Sequence, residues 1–114
     1  MYDKYKSMKG TFIGELEELV LLTAAALKED GYGVAIVAEI KEATGREVNI
    51  GAIHTVLRRL EDKGYMKSEM GGATRQRGGR RKRIYTLTHS GQVILDELYE
   101  IRSRLYKRIR PSFS

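Results

Sequence analysis

The chain has 114 residues, enough for a single hydrophobic core and too few for two. Its 41% hydrophobic and 32% charged residues exclude a wholly disordered polymer, its lack of cysteine excludes disulfides, and no apolar run approaches the ~18 residues of a membrane span. The formal charge of +6 is concentrated in the acid-free stretch 71–83, where Arg75, Arg77, Arg80, Arg81, Lys82 and Arg83 lie; without those six, fifteen basic residues face fifteen acidic ones.

Residues 1–10, MYDKYKSMKG, are polar and read as a flexible basic arm, without the apolar stretch of a secretion signal. A first helix is expected from Thr11, as its cap, to about Lys28. Ile13, Leu16, Val20 and Leu27 form its stripe, thickened by Leu19 and Ala24. Glu15, Glu17 and Glu18 crowd its first turns as surface charges, where the helix dipole favours anions. After Gly31 a second helix over Gly33–Thr44 should bury Val34, Val37 and Ile40 and stop at Gly45.

The third helix opens after Asn49, a good N-cap, and runs to about Lys63 before Gly64 ends it. Ile50, Ile53, Leu57 and Leu60 form its buried stripe, with Val56 beside them. At ~100° per residue the opposite side carries Gly51, Thr55 and Arg58, flanked by His54 and Arg59. Two strands, 65–70 and 83–87, then flank the basic loop, whose four glycines suit a hairpin tip. From Thr88 a final helix extends to about Arg110, ahead of Pro111. Its apolar positions Ile94, Leu98, Ile101, Leu105 and Ile109 are spaced four, three, four and four apart.

The expected fold is therefore mainly α with a small β-hairpin: a winged helix-turn-helix over residues 11–88, then a C-terminal dimerisation helix and tail over 89–114. In that geometry the third helix enters the major groove of double-stranded DNA. Asn49, Gly51, Ala52, His54 and Thr55 in its first turns are candidates for the base edges, with Arg58 and Arg59 one turn on. Arg75, Arg77, Gly78, Gly79, Arg80, Arg81 and Lys82 form a wing suited to phosphates or a narrow minor groove. Arg83, nearest the strand, can instead lie over the core or pair with an acid. The seam Ile94, Leu98, Ile101, Leu105, Ile109 suits a second copy of the chain, the alternative being a helix folded back onto its own head; a homodimer would read a palindromic site.

Four stretches in register, GELEELVLLTAAAL (14–27), YGVAIVAEIKEATGREV (32–48), IGAIHTVLRRLEDKGYM (50–66) and RGGRRKRIYTLTHSG (77–91), resemble the short form of the PadR-type transcriptional regulators. The resemblance implies dimerisation through the terminal helix, often helped by the first, and repression as the family's usual sign of control. It matches Tyr32 and Gly33 to the family's tyrosine–glycine pair at the start of the second helix, with Tyr32 either against the DNA backbone or packed with its hydroxyl exposed, and aligns His54 with a tyrosine that faces DNA. Many relatives also release DNA on binding a small molecule, but no residue here identifies such an effector.

Other classes fit less well. The two histidines, His54 and His89, lack metal-ligand spacing, and no phosphate-binding glycine loop precedes a helix, so no enzyme, metal or cofactor is expected. A non-specific architectural or RNA-binding winged helix remains the alternative, and the outward side chains of the third helix distinguish the two. A protein-interaction module would call for an exposed apolar patch in place of a cationic wing. The cytoplasm is the expected compartment.

Overall fold

A computed structural model describes residues 13–71 and 82–109. In chain order these form α1 (Glu15–Leu27), a single 3-10 turn (Lys28–Asp30), α2 (Gly33–Thr44), α3 (Ile50–Asp62), β1 (Met66–Met70), β2 (Arg83–Leu87) and α4 (His89–Ile109). The expected arm, the Thr11 cap and the tail after Ile109 lie outside the described residues. Three helices, an antiparallel hairpin and a long last helix make the expected winged helix-turn-helix, mainly α.

Helix α1 starts at Glu15, later than its sequence pattern suggests, because the cap is Gly14. The Glu17 carboxylate accepts the Gly14 N–H at 2.8 Å, satisfying one of the amides a helix start leaves over. Glu17 is buried, with Lys63 Nζ 3.2 Å from its Oε1. It is thus an inter-helix tie between α1 and the end of α3 and not the surface charge its neighbours imply.

The core is built from Val20, Leu21 and Ala24 of α1, Ile36 and Ile40 of α2, and Ile53, Val56, Leu57 and Leu60 of α3. Tyr65, Met66 and Tyr85 close it from the hairpin side, and Ile94, Leu95 and Leu98 from α4. Two expectations change. Val34 is 69% exposed and Ile36 takes its place, because the inward stripe of α2 runs through positions 33, 36, 37 and 40. Ile50, at the first turn of α3, lies at the edge of the buried arc and stays half open to solvent.

The hairpin pairs Met66 with Leu87 through Met70 with Arg83. The Tyr85 N–H fastens it to the head by donating to the Gly31 carbonyl at 2.8 Å, and the Thr88 N–H extends its ladder by donating to the Tyr65 carbonyl at 3.1 Å. Thr88 also caps α4, its Oγ1 accepting the Gly91 N–H at 3.0 Å while donating to the Gly64 carbonyl at 2.6 Å. Gly91 itself rests on the backbone of Tyr65, where a Cβ would overlap the carbonyl oxygen.

Helix α4 has 21 residues, about 31 Å at 1.5 Å per residue, and outruns the head it packs on. Ile94 and Leu98 are only 3% and 4% exposed within the single chain, so they belong to this chain's own core. That corrects their assignment to a dimer seam: the first turns of α4 fold back onto the head, against α1 and β2. Ile101 is half-buried against the same core, whereas Leu105 (53%) and Ile109 (48%) continue the stripe beyond it.

Candidate nucleic-acid interface

The N-terminal turns of α3 owe their order to Asn49. Its Oδ1 accepts the N–H groups of Gly51 at 2.6 Å and Ala52 at 3.2 Å, two of the amides left free at the helix start. Gly51 permits this, since a Cβ there would stand 2.9 Å from that same oxygen. The cap oxygen is spent, and the amide nitrogen of Asn49 is the part of its side chain left as a donor.

Behind this turn, Ile53, Val56, Leu57 and Leu60 fix α3 on the core, and every candidate reader in it is exposed: Gly51, Ala52, His54, Thr55, Arg58 and Arg59. Around the helix, Gly51, Thr55, Arg58 and Asp62 centre the outward arc, with exposed Ala52 and Arg59 flanking it on one side and His54 on the other, over Gly33 of α2. Asp62 places a carboxylate at the C-terminal end of that arc, which confines favourable contact with a polyanion to the first turns. The Thr55 hydroxyl donates back to the Gly51 carbonyl at 3.1 Å.

His54 is exposed but not detached. Its ring lies over Gly33, so close that a Cβ on Gly33 would come within 3.0 Å of His54 Cε1. Tyr32, the N-cap position of α2, is half-buried beside it. Across the ring of Tyr32 sits the ammonium of Lys82, 4.1 Å from the centroid, a cation–π contact joining the wing root to the start of α2. Spacing alone does not reveal this group, because its members come from three separate elements.

Of the wing, Lys82 is described, and Arg75, Arg77, Gly78, Gly79, Arg80 and Arg81 lie outside the described residues. The hairpin end below them is closed by the Gly71 N–H donating to the Lys82 carbonyl at 2.6 Å. Arg83 turns from the wing to the head: its Nη1 donates to Ser68 Oγ at 3.1 Å, and Ser68 donates to Glu61 at 2.7 Å. It thereby stiffens the hairpin against the end of α3.

Among the described residues three ionisable groups are shifted. Burial pushes the Glu17 carboxyl up, but the Gly14 amide and the Lys63 ammonium outweigh it and hold the group below its ordinary value. Burial, then Glu61, raises the Tyr85 phenol. The hydrogen bond that Arg102 donates to Glu18 raises the guanidinium; its Nε lies 3.0 Å from Glu18 Oε2 and thereby ties α4 to α1. None of the three lies on the outward face of α3. Among the described residues no group of His, Asp and Glu side chains is arranged to hold a metal ion, and no helix is long and apolar enough to cross a membrane.

Residues 21–97 match the family described as transcriptional regulator PadR-like. A comparison with curated protein sequences returns no match. Among solved structures, a PadR-like transcriptional regulator from Bacillus cereus superposes with a TM-score of 0.69 at 16% identity, over 96% of this chain and 97% of that one. A PadR family regulator from Clostridium difficile gives 0.65 at 22% identity, over 89% and 100%; these two likenesses are of fold. Bacillus subtilis PadR, solved in complex with operator DNA, gives 0.57 at 27% identity, over 74% of this chain and 46% of that one. With the family match spanning most of the winged helix, the chain belongs to the PadR-like family of transcriptional regulators.

Proposed function

We propose that the protein binds double-stranded DNA in a sequence-specific way as a homodimeric transcriptional regulator, a repressor acting in the cytoplasm. The observation that carries this reading is the outward face of α3: a capped, rigidly backed helix start whose outward side chains are uncovered and are followed by the cations Arg58 and Arg59. The wing root beside it places Lys82 over the Tyr32 ring, and the sequence between the two strands adds Arg75, Arg77, Arg80 and Arg81 to the cations available for a polyanion. The relative from Bacillus subtilis, solved with operator DNA, supports duplex DNA as the partner.

Dimerisation rests on the far half of α4. Leu105 and Ile109 extend the apolar stripe past the head, Tyr99 and Tyr106 are exposed on the same segment, and Leu22 of α1 lines the groove beside Arg102. Together they offer a second copy an apolar strip with α1 at its edge, in place of the longer seam that would have used Ile94 and Leu98. Two heads joined this way read a palindrome, and a small-molecule effector would act by changing the spacing of the heads.

Titration of a labelled DNA duplex and a labelled RNA duplex, each over a range of salt, tests the reading. DNA should be preferred, with affinity falling steeply as salt rises, and Arg58→Ala should weaken it. Equal binding of both duplexes, unaffected by Arg58→Ala, would transfer the chain to the architectural or RNA-binding class.

A further inference from the structure

The hydrogen bonds at the start of α3 leave few donors and acceptors for reading bases. Asn49 Oδ1 is taken by the Gly51 and Ala52 amides, so Asn49 cannot make the paired donor–acceptor contact by which a carboxamide reads adenine. Gly51 has no side chain, and Ala52 offers only a methyl group. The Thr55 hydroxyl gives its one proton to the Gly51 carbonyl, so the exposed side chain has only an acceptor oxygen and its γ-methyl left to meet a base edge. His54 is turned aside onto Gly33. The outward arc of the first two turns therefore presents methyl groups, and the next outward charge is Arg58.

A DNA major groove has one methyl group of its own, the 5-methyl of thymine. Resting on the duplex-binding reading above, we propose that each half-site carries thymine opposite Thr55 and Ala52, read through its 5-methyl by the Thr55 γ-methyl and the Ala52 side chain. Specificity in this part of the site comes from apolar contact, and Arg58 supplies the neighbouring polar contact. Thr55 is then a specificity-determining residue whose methyl, not its hydroxyl, discriminates.

The test uses the full chain and a half-site enriched from randomised duplex DNA, with each thymine replaced in turn by uracil, which lacks only the methyl. One thymine-to-uracil change at the Thr55 contact should weaken wild-type binding about fourfold, the worth of one buried methyl-sized group. Thr55→Val, which keeps the methyl and drops the hydroxyl, should retain that discrimination. Thr55→Ser, which keeps the hydroxyl and drops the methyl, should lose it at that one position while other thymines still matter. Both substitutions are on the surface, and equal melting temperatures confirm that the fold is intact. An enriched site without thymine, a uracil series without effect, or loss of discrimination in Thr55→Val but not in Thr55→Ser overturns the proposal while leaving duplex binding intact. A wild-type protein that binds no duplex overturns both.

Discussion

At Glu17 a carboxylate drawn into the packing between α1 and α3 is kept charged by the Gly14 amide and Lys63, against the pull of burial. Its folded pKa lies below the ordinary 4.5, so it contributes stability at pH values above the unfolded value and loses it as pH falls through the folded one. Thermal melts of wild type and Glu17→Gln should therefore differ at neutral pH and converge as the pH falls through the lowered folded value. A gap that persisted in acid would mean that packing, not charge, holds the residue. Gly91 poses a simpler constraint, because any Cβ there meets the Tyr65 carbonyl oxygen and Leu87. Gly91→Ala should cost about 3 kcal/mol in a urea melt, in the range of overpacked core substitutions. Gly33→Ala acts in the site instead: it displaces the His54 ring, and duplex affinity should drop with little change in melting temperature.

Among the elements, α3 depends most on its cap. Asn49→Ala removes the acceptor for two amides and should cost about 1 kcal/mol of stability, with the first turn of α3 losing hydrogen-exchange protection before the rest. Asn49→Asp keeps the cap but adds a negative charge where the duplex approaches, so stability should be retained while DNA affinity falls. The bounds of α2 and the start of α3 were legible because Gly33, Gly45 and Asn49 punctuate the pattern. Helix α1 was harder to phase: LVLLTAAAL is apolar on every side, so its buried position Leu21 does not stand out, and its true cap, Gly14, has no capping side chain. Val34 misled because alternation by three fits a short helix as well as the observed stripe through Ile36 and Ile40. The contacts of Glu17 with Lys63 and of Tyr32 with Lys82 join residues 46 and 50 positions apart, a distance no local periodicity encodes.

For the whole molecule, the division of α4 into an inner and an outer half matters most. The inner half is core, so Ile94→Asp should prevent folding. Leu105→Asp with Ile109→Asp should leave a folded head that sediments as a monomer and binds a palindrome without cooperativity. A double variant that stayed dimeric would move the interface elsewhere. Arg102 bridges to Glu18 where the two halves meet, so its loss should change the angle of α4 to the head, read as an altered preference for half-site spacing, more than it changes stability.

On the proposed function, α3 reads a DNA sequence. Selection from a randomised duplex pool, repeated at two salt concentrations, tests it most directly. A single palindromic site should emerge at both, with affinity falling steeply between them and with enrichment of that site weakened in Arg58→Ala. Binding without any enriched sequence would contradict it, leaving a cationic protein that follows the duplex backbone and does not read its bases.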